Sequence, residues 1–306
     1  MTGALGFIGR AVADLYRGRG CEVRGVDVRA DPALGVVAGD IAEPGGWQRH
    51  ARGCDLVVHT AATVSLRRDP APIWRVNALG TRRVLEAARD AGAGRLVHLS
   101  SVTAYSFVFP DGVTEDHPLR PNGVPYVDTK VAAEHAVLAA HAAGEVECVI
   151  VRPGDVYGPG SRPWTLLPVQ EIAARRFVLP ALGRGVFSPV YVDDLVEGIR
   201  LAGAVEGAAG RAFNLTDGRG VATRDFFGHY GRFLGRRIPV VPTRLARALA
   251  ACASALSERA GRPTEINADS ASYLARTGTY SIAAAREVLG YEPAVGLGEG
   301  MQRTIA

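Results

Sequence analysis

Five short runs rich in valine, isoleucine and leucine, namely CEVRGVD, LGVVAGD, DLVVHTAA, GRLVHLSS and VECVIVRPG, punctuate the first half of this chain. Alanine- and arginine-rich stretches of helical period fill the intervals between them. A run that is apolar at successive positions suits a strand buried on both faces, and its alternation with helices demands a parallel sheet covered on both sides. The expected fold is therefore α/β, a doubly wound parallel sheet of Rossmann type. Helices are expected at about 6–19, 70–91, 123–143, 164–176, 193–204 and 223–234. After Arg152 the rhythm loosens as Gly and Pro gather in RPGDVYGPGSRPW.

The segment TGALGFIG places Gly3, Gly6 and Gly9 ahead of an amphipathic helix that opens on Phe7 and Ile8. Glycines so spaced allow a tight turn, close approach of backbone to a pyrophosphate and close helix packing, while the helix N-terminus attracts negative charge. Asp27 closes the next strand about 18 residues beyond Gly9, near the spacing at which a carboxylate meets the adenosine ribose. There it would repel a 2′-phosphate, so NAD is the expected cofactor, although the neighbouring Arg29 leaves NADP open. Asp40, in AGDI, follows another strand and is a candidate adenine contact. A turn of this kind is normally fed by a strand of about five residues in mid-sheet. Only Met1 precedes Thr2 here, so most of that first strand is expected to be missing, through a misplaced start or a truncation. Residues 1–152 are expected to form the dinucleotide-binding domain, rejoined by 185–220. Residues 153–184 and 221–306 are expected to form a smaller, discontinuous substrate-binding region.

Lysine occurs once among 35 basic side chains, as Lys130 in PYVDTK. A compact ammonium does different work from a planar guanidinium, and Tyr126, one helical turn earlier, shares its helix face. A free phenol, with a pKa of about 10, is too weak a base at neutral pH. A neighbouring ammonium favours the phenolate, making Tyr126 a usable general acid or base. Ser100 and Ser101, after GRLVHL, supply a hydroxyl at a strand end for the substrate oxygen.

The 306 residues, 47% hydrophobic, suffice for one large domain or two closely joined ones. No apolar run approaches the roughly 18 residues of a membrane span, and no cleavable signal is visible. Cys21, Cys54, Cys148 and Cys252 show neither metal spacing nor a disulfide framework, which suits a cytoplasmic setting. The net charge of +4 comes from arginines that read as scattered over solvated helix faces, so no nucleic-acid partner is expected. His59 and His98 read as satisfied core histidines with no metal role, and His117 as part of a loop able to cover the substrate, with no substrate contact of its own expected.

With TGALGFIG, AGDI, VVHTAA, VNALGT, HLSSVTAY, PYVDTK, VRPGDVYGPG, VYVDDL and LGYEP in place, the chain resembles the extended short-chain dehydrogenase/reductase family along essentially its whole length. That family holds nucleotide-sugar epimerases, dehydratases and 3β-hydroxysteroid dehydrogenases. The resemblance implies that Ser101, Tyr126 and Lys130 are catalytic, supported by Asn77 through a helix and water relay. It also implies that Asp40, Ile41, Ala61 and Ala62 line the adenosine side, that Pro153 lies near the nicotinamide, and that Thr103 is a second hydroxyl facing substrate.

Members acting on nucleotide sugars usually carry a diphosphate-binding arginine just before the motif VYVDDL. Phe187 falls about there in this chain, implying a more apolar substrate contact, with the nearby Arg184 as the alternative that would compensate, and Arg276 lies too close to the C-terminal motif to match a second such arginine. The ending LGYEPAVGLGEGMQRTI and the stretch HTAATVSLRRDPAPIWRVNALGT look most like the 3β-hydroxysteroid dehydrogenase branch, which implies a hydrophobic secondary alcohol or ketone. Apolar residues in TRLARALAACASALSERAG fit an ordinary packed helix before one that covers a pocket or touches a membrane surface. A nucleotide-sugar epimerase or dehydratase is the alternative, and a non-catalytic NAD-sensing protein the alternative of another class. The helices at 70–91 and 123–143 often pair in this family, implying a possible homodimer.

Overall fold

The computed structural model describes residues 1–67, 69–262 and 264–305. Its first half runs α1 (Phe7–Gly18), β1 (Gly25–Asp27), β2 (Val36–Ala38), β3 (Leu56–His59), α2 (Ala71–Trp74), α3 (Thr81–Asp90), β4 (Arg95–Leu99), α4 (Pro125–Ala142) and β5 (Glu147–Pro153). Then follow β6 (Asp155–Tyr157), α5 (Leu167–Ala173), β7 (Val186–Phe187), β8 (Pro189–Tyr191), α6 (Val192–Ala204), β9 (Ala212–Leu215) and β10 (Val221–Ala222). The chain closes with α7 (Thr223–Phe233), α8 (Thr243–Arg259), α9 (Ala268–Leu274) and α10 (Leu297–Ile305). A π-helical stretch, Arg75–Gly80, joins α2 to α3 without a break in the backbone's helical course.

All five apolar runs become strands. β1 pairs with β2, and β3, β4, β5 and β9 lie side by side, every pairing parallel. Between β1 and β3 the lane belongs to Met1 and Thr2. Thr2 bridges in parallel to both Val26 and His59, its N–H donating to the Val58 carbonyl at 3.1 Å while Val26 N–H donates to Met1 at 2.8 Å. The Met1 amine donates to the Arg24 carbonyl at 2.6 Å, and burial lowers its pKa to about 6.

Burial follows the two-residue period of a strand. Val57, Leu96, Cys148 and Ile150 pack with Val84 and Leu85 of α3 and Val137 of α4. The intervening Val58, Val97, Val149 and Val151 pack with Val12 of α1 and Leu195 and Ile199 of α6. Helices cover both faces, which is why these strands read as continuous apolar runs.

Beyond Pro153 the strands are short: β6 pairs in parallel with β8, and β7 antiparallel with β10. Aromatic packing takes over from sheet there. Phe187 is fully buried, its ring centroid 4.1 Å from Phe226 and 5.0 Å from Trp164. This corrects the expectation that Phe187 contacts substrate, because it is a core side chain with no exposed surface. α8 departs from expectation as well. Only Ala246 and Ala250 are buried, against Ala271 of α9, while Leu245, Leu249 and Leu256 face solvent. Among the described residues no helix is long and apolar enough to cross a membrane.

Candidate active site

The glycine turn sits at the C-terminal edge of the sheet, where open α/β folds place ligands. Gly3 has φ +69°, and a Cβ there would lie 2.7 Å from the Ala61 nitrogen. A Cβ on Gly9 would lie only 1.9 Å from the Gly3 carbonyl oxygen. Turn, helix and the end of β3 are thus pressed together in a way only glycine permits. α1 starts after an extended Gly6, with no side-chain cap and no acidic residue in its first turn. Its leading amides, beginning with Phe7 and Ile8, therefore have no side-chain competitor for an anion, and the cradle fits a dinucleotide pyrophosphate. Gly9→Ala is expected to weaken NAD binding by about 5- to 140-fold, since overpacking costs about 1–3 kcal/mol and 1.4 kcal/mol is a factor of ten. A fluorescence titration giving an unchanged Kd would contradict this close packing's role.

Asp27 binds the turn itself, accepting from Leu5 N–H at 2.9 Å and Val28 N–H at 2.8 Å. Asp40 accepts from Ala42 N–H at 2.9 Å and from Arg75 at 2.8 Å. Ile41 is buried beneath Gly80, while Ala61 and Ala62 follow β3, partly exposed. Pro153 ends β5 opposite Leu215 of β9.

Ser101 caps a 3-10 turn, Val102–Tyr105, directly after β4, accepting from Thr103 N–H at 3.2 Å. Across from it, α4 begins with Pro125 at N1, which presets the helical φ, so Tyr126 and Lys130 share a buried face. Burial pushes the Tyr126 phenol up to about 12, opposed by its hydrogen bond with Ser101. Lys130 Nζ donates to the Leu99 carbonyl at 2.7 Å and lies 5.8 Å from the Tyr126 ring centroid. Desolvation thus dominates the Tyr126 phenol, while the Lys130 ammonium, with one of its three protons on the end of β4, keeps two others for the site. Burial also lowers Lys130 itself to about 8, against the opposing charge of Glu134. Thr103 is buried with its hydroxyl unpartnered among the described residues, an acceptor and donor held ready two residues from Ser101.

Asn77 lies within the π-helical stretch, a distortion common at functional sites. Its amide accepts from Thr63 N–H at 2.7 Å and donates to the Thr63 carbonyl and to Thr129 Oγ1, both at 3.1 Å. Thr129 Oγ1 donates in turn to the Tyr126 carbonyl at 3.0 Å. Asn77 thus ties the loop after Ala62 to the first turn of α4. His59 is satisfied as expected, held between Thr2 Oγ1 at 2.7 Å and Thr81 Oγ1 at 2.9 Å. His98 is not: both ring nitrogens are buried without a partner among the described residues. Burial holds the His98 imidazole well below its ordinary pKa, with His59 and Lys130 adding repulsion, so it sits neutral under the site.

Glu134 was not singled out in the sequence, although Tyr126, Lys130 and Glu134 recur at the four-residue interval that marks one helix face. It is fully buried and accepts from Arg152 Nη2 at 2.7 Å and from the Ser100 hydroxyl. Arg152 Nη1 continues to Tyr105 OH at 2.6 Å, which donates to Asn214 at 2.9 Å. A second buried pair joins Arg276 to Asp155, with the guanidinium 3.7 Å from the Tyr273 ring centroid. Around Tyr273 stand two partly exposed aromatics, Phe107 edge-on at 5.4 Å and Trp164 stacked at 5.5 Å. His117 packs 6.0 Å from Tyr105.

The NAD dependent epimerase/dehydratase family profile matches residues 1–216. A 4-hydroxy-2-methyl-3-oxo-4-farnesyl-3,4-dihydroquinoline-1-oxide ketoreductase from Stigmatella aurantiaca is 35% identical over 267 residues, covering 82% of this chain and 78% of that protein. A dTDP-glucose 4,6-dehydratase from Streptomyces griseus is 31% identical over 251 residues, covering 74% and 76%. Among solved structures, MoeE5 in complex with UDP-glucose and NAD superposes with a TM-score of 0.79 at 26% identity, covering 99% of this chain and 96% of that one.

Proposed function

The chain belongs to the NAD-dependent epimerase/dehydratase family, and from that premise we propose that it exchanges hydride between NAD and a hydrophobic secondary alcohol or ketone. It is an NAD-dependent oxidoreductase of the extended short-chain dehydrogenase/reductase type. Bound NAD supplies the hydride acceptor or donor. Ser101 holds the substrate oxygen, Tyr126 gives or takes its proton, and Lys130 supports the charge that Tyr126 acquires when it gives its proton up. Asn77 is a positioning residue acting through Thr129, and Thr103 offers a further contact to substrate. The glycine turn with Asp27, Asp40, Ile41, Ala61, Ala62 and Pro153 holds the dinucleotide.

The observation that carries the reading is the meeting of a buried phenol, a serine hydroxyl and the chain's single lysine at the end of β4. An apolar substrate is favoured by the partly exposed Phe107 and Trp164 around Tyr273. It is also favoured by Arg276, whose guanidinium lies over the Tyr273 ring, being tied to Asp155 rather than presented to a diphosphate. The farnesylated substrate named for the Stigmatella relative agrees. The dehydratase relative and the UDP-glucose complex support the second reading, transient cofactor reduction on a nucleotide sugar.

The two readings separate on a substrate panel of sterols, other hydrophobic alcohols and nucleotide sugars followed by NADH absorbance and product analysis. Net NADH from an apolar alcohol is expected. Conversion of a UDP- or dTDP-sugar with no added NAD would replace the first reading by the second. The proposed organisation has 1–152 with 185–220 as the cofactor part and 153–184 with 221–306 as the substrate part; β9 joining β5 supports the return of the chain to the first. A cytoplasmic homodimer is proposed, with the exposed Trp74, Leu79 and Leu138 on the helices expected to pair.

A further inference from the structure

We propose that α8 is a docking face for an anionic lipid bilayer surface. Two independent observations converge on it. Leu245, Leu249, Cys252 and Leu256 recur at intervals of four, three and four, so they form one stripe along the helix, and all four are exposed, Leu256 at 65%. The helix is anchored from behind by Ala246 and Ala250 packing with Ala271, Val241 and Ile266, and its apolar stripe has no partner within the described chain.

The second observation is charge. Residues 236–262 carry Arg236, Arg237, Arg244, Arg247, Arg259 and Arg262 against a single acidic residue, Glu258. This one segment, with six arginines and one glutamate, holds more positive charge than the whole chain's net +4. Nineteen ion pairs involve other arginines, yet none of these six guanidiniums forms one among the described residues. By helical spacing Arg259 and Arg244 follow the stripe on one side, Arg247 lies toward the far side of the helix, and Arg236, Arg237 and Arg262 lie just beyond its ends. An apolar stripe on so basic a segment is complementary to a surface that is apolar beneath and anionic on top, which describes a bilayer of acidic lipids. A partner copy of this chain would present the same positive charge and repel.

The segment following α8 bears directly on the cofactor side of the molecule. Glu265 accepts from Leu66 N–H at 2.8 Å and from the Ser65 hydroxyl, and Asn267 donates to the Leu66 carbonyl at 2.6 Å. Those residues follow Ala61, Ala62 and Thr63, the last of which holds Asn77. A membrane against α8 therefore lies next to the rim of the proposed site, on the route an apolar substrate takes out of lipid. The docking face rests on exposure and charge alone and stands whichever substrate reading is correct.

The test is co-sedimentation of the full chain with phosphatidylglycerol-containing vesicles and with pure phosphatidylcholine vesicles, across a salt series. Binding to the anionic vesicles alone, weakening as salt rises, is expected. Arg244→Gln with Arg247→Gln and Arg259→Gln should weaken it on the order of 100-fold, and Leu249→Asp with Leu256→Asp at least about tenfold. All five positions are solvent-facing, and unchanged thermal unfolding verifies that each variant is folded. Absence of binding, or binding undiminished in both variants, overturns the proposal. So does a self-association, seen by sedimentation velocity, that Leu249→Asp abolishes while vesicles bind neither protein.

Discussion

Tyr126→Phe is expected to lower turnover by about 10²–10⁴-fold, the range that a positioned general acid or base supplies, while NAD affinity stays within a few-fold. The substitution removes one oxygen from a buried ring whose packing is otherwise unchanged, so the fold has little to lose. With its pKa raised to about 12 by burial, Tyr126 is protonated at neutral pH and ready to donate to a carbonyl. Giving up that proton leaves a negative charge, which is tolerable only beside the Lys130 ammonium. Lys130 titrates at about 8, so ketone reduction is expected to stay level below that pH and decline above it. The same shift bears on folding. Between about 8 and the ordinary 10.5, the unfolded chain holds a proton that the folded chain has released. The contribution of Lys130 therefore makes stability rise with pH across that window. Lys130→Arg keeps the charge but not the compact geometry, and it is expected to lose most activity and the decline near pH 8 together. Full turnover by Tyr126→Phe would sink the acid–base assignment, and a profile level through pH 8 would remove Lys130 from it.

Local features of this protein were readable because their causes are local. The strand runs declared themselves through continuous apolarity, and Tyr126 and Lys130 through one turn of helix. What escaped the sequence depends on partners far along the chain. Phe187 looked like a pocket residue by position, yet Phe226 and Phe227, 39 and 40 places on, enclose it. Arg276 finds Asp155 across 121 residues. His59 and His98 are adjacent in the sheet register and look alike in sequence, but only His59 meets Thr2 and Thr81. Whether the leucines of α8 pack or face water depends on where α9 docks, and alanine at 246 and 250 turned the other face inward.

Glu134→Ala carries the largest expected effect on stability, a loss of about 3–5 kcal/mol. Arg152 has a side chain only 5% exposed, and Glu134 none at all. The guanidinium would keep Tyr105 OH and the Glu115 carbonyl as acceptors but lose its one ion-pair partner among the described residues, together with contacts at 2.7, 3.0 and 3.1 Å. The cost comes from stranding that charge rather than from the worth of the pair, because a buried ion pair is offset by the desolvation of both members. Two further variants distinguish these causes. Glu134→Leu combined with Arg152→Met should recover most of the loss, since nothing charged is then left buried; a urea midpoint as low as that of Glu134→Ala would show that the stranded charge is not the origin. Glu134→Gln keeps the shape and an acceptor for Ser100, so it should fold well enough to assay. It removes the negative charge that raises the Lys130 pKa, and the decline in ketone reduction should move to lower pH. A decline unmoved in a folded Glu134→Gln would confine Glu134 to architecture and leave Lys130 governed by burial and Leu99 alone.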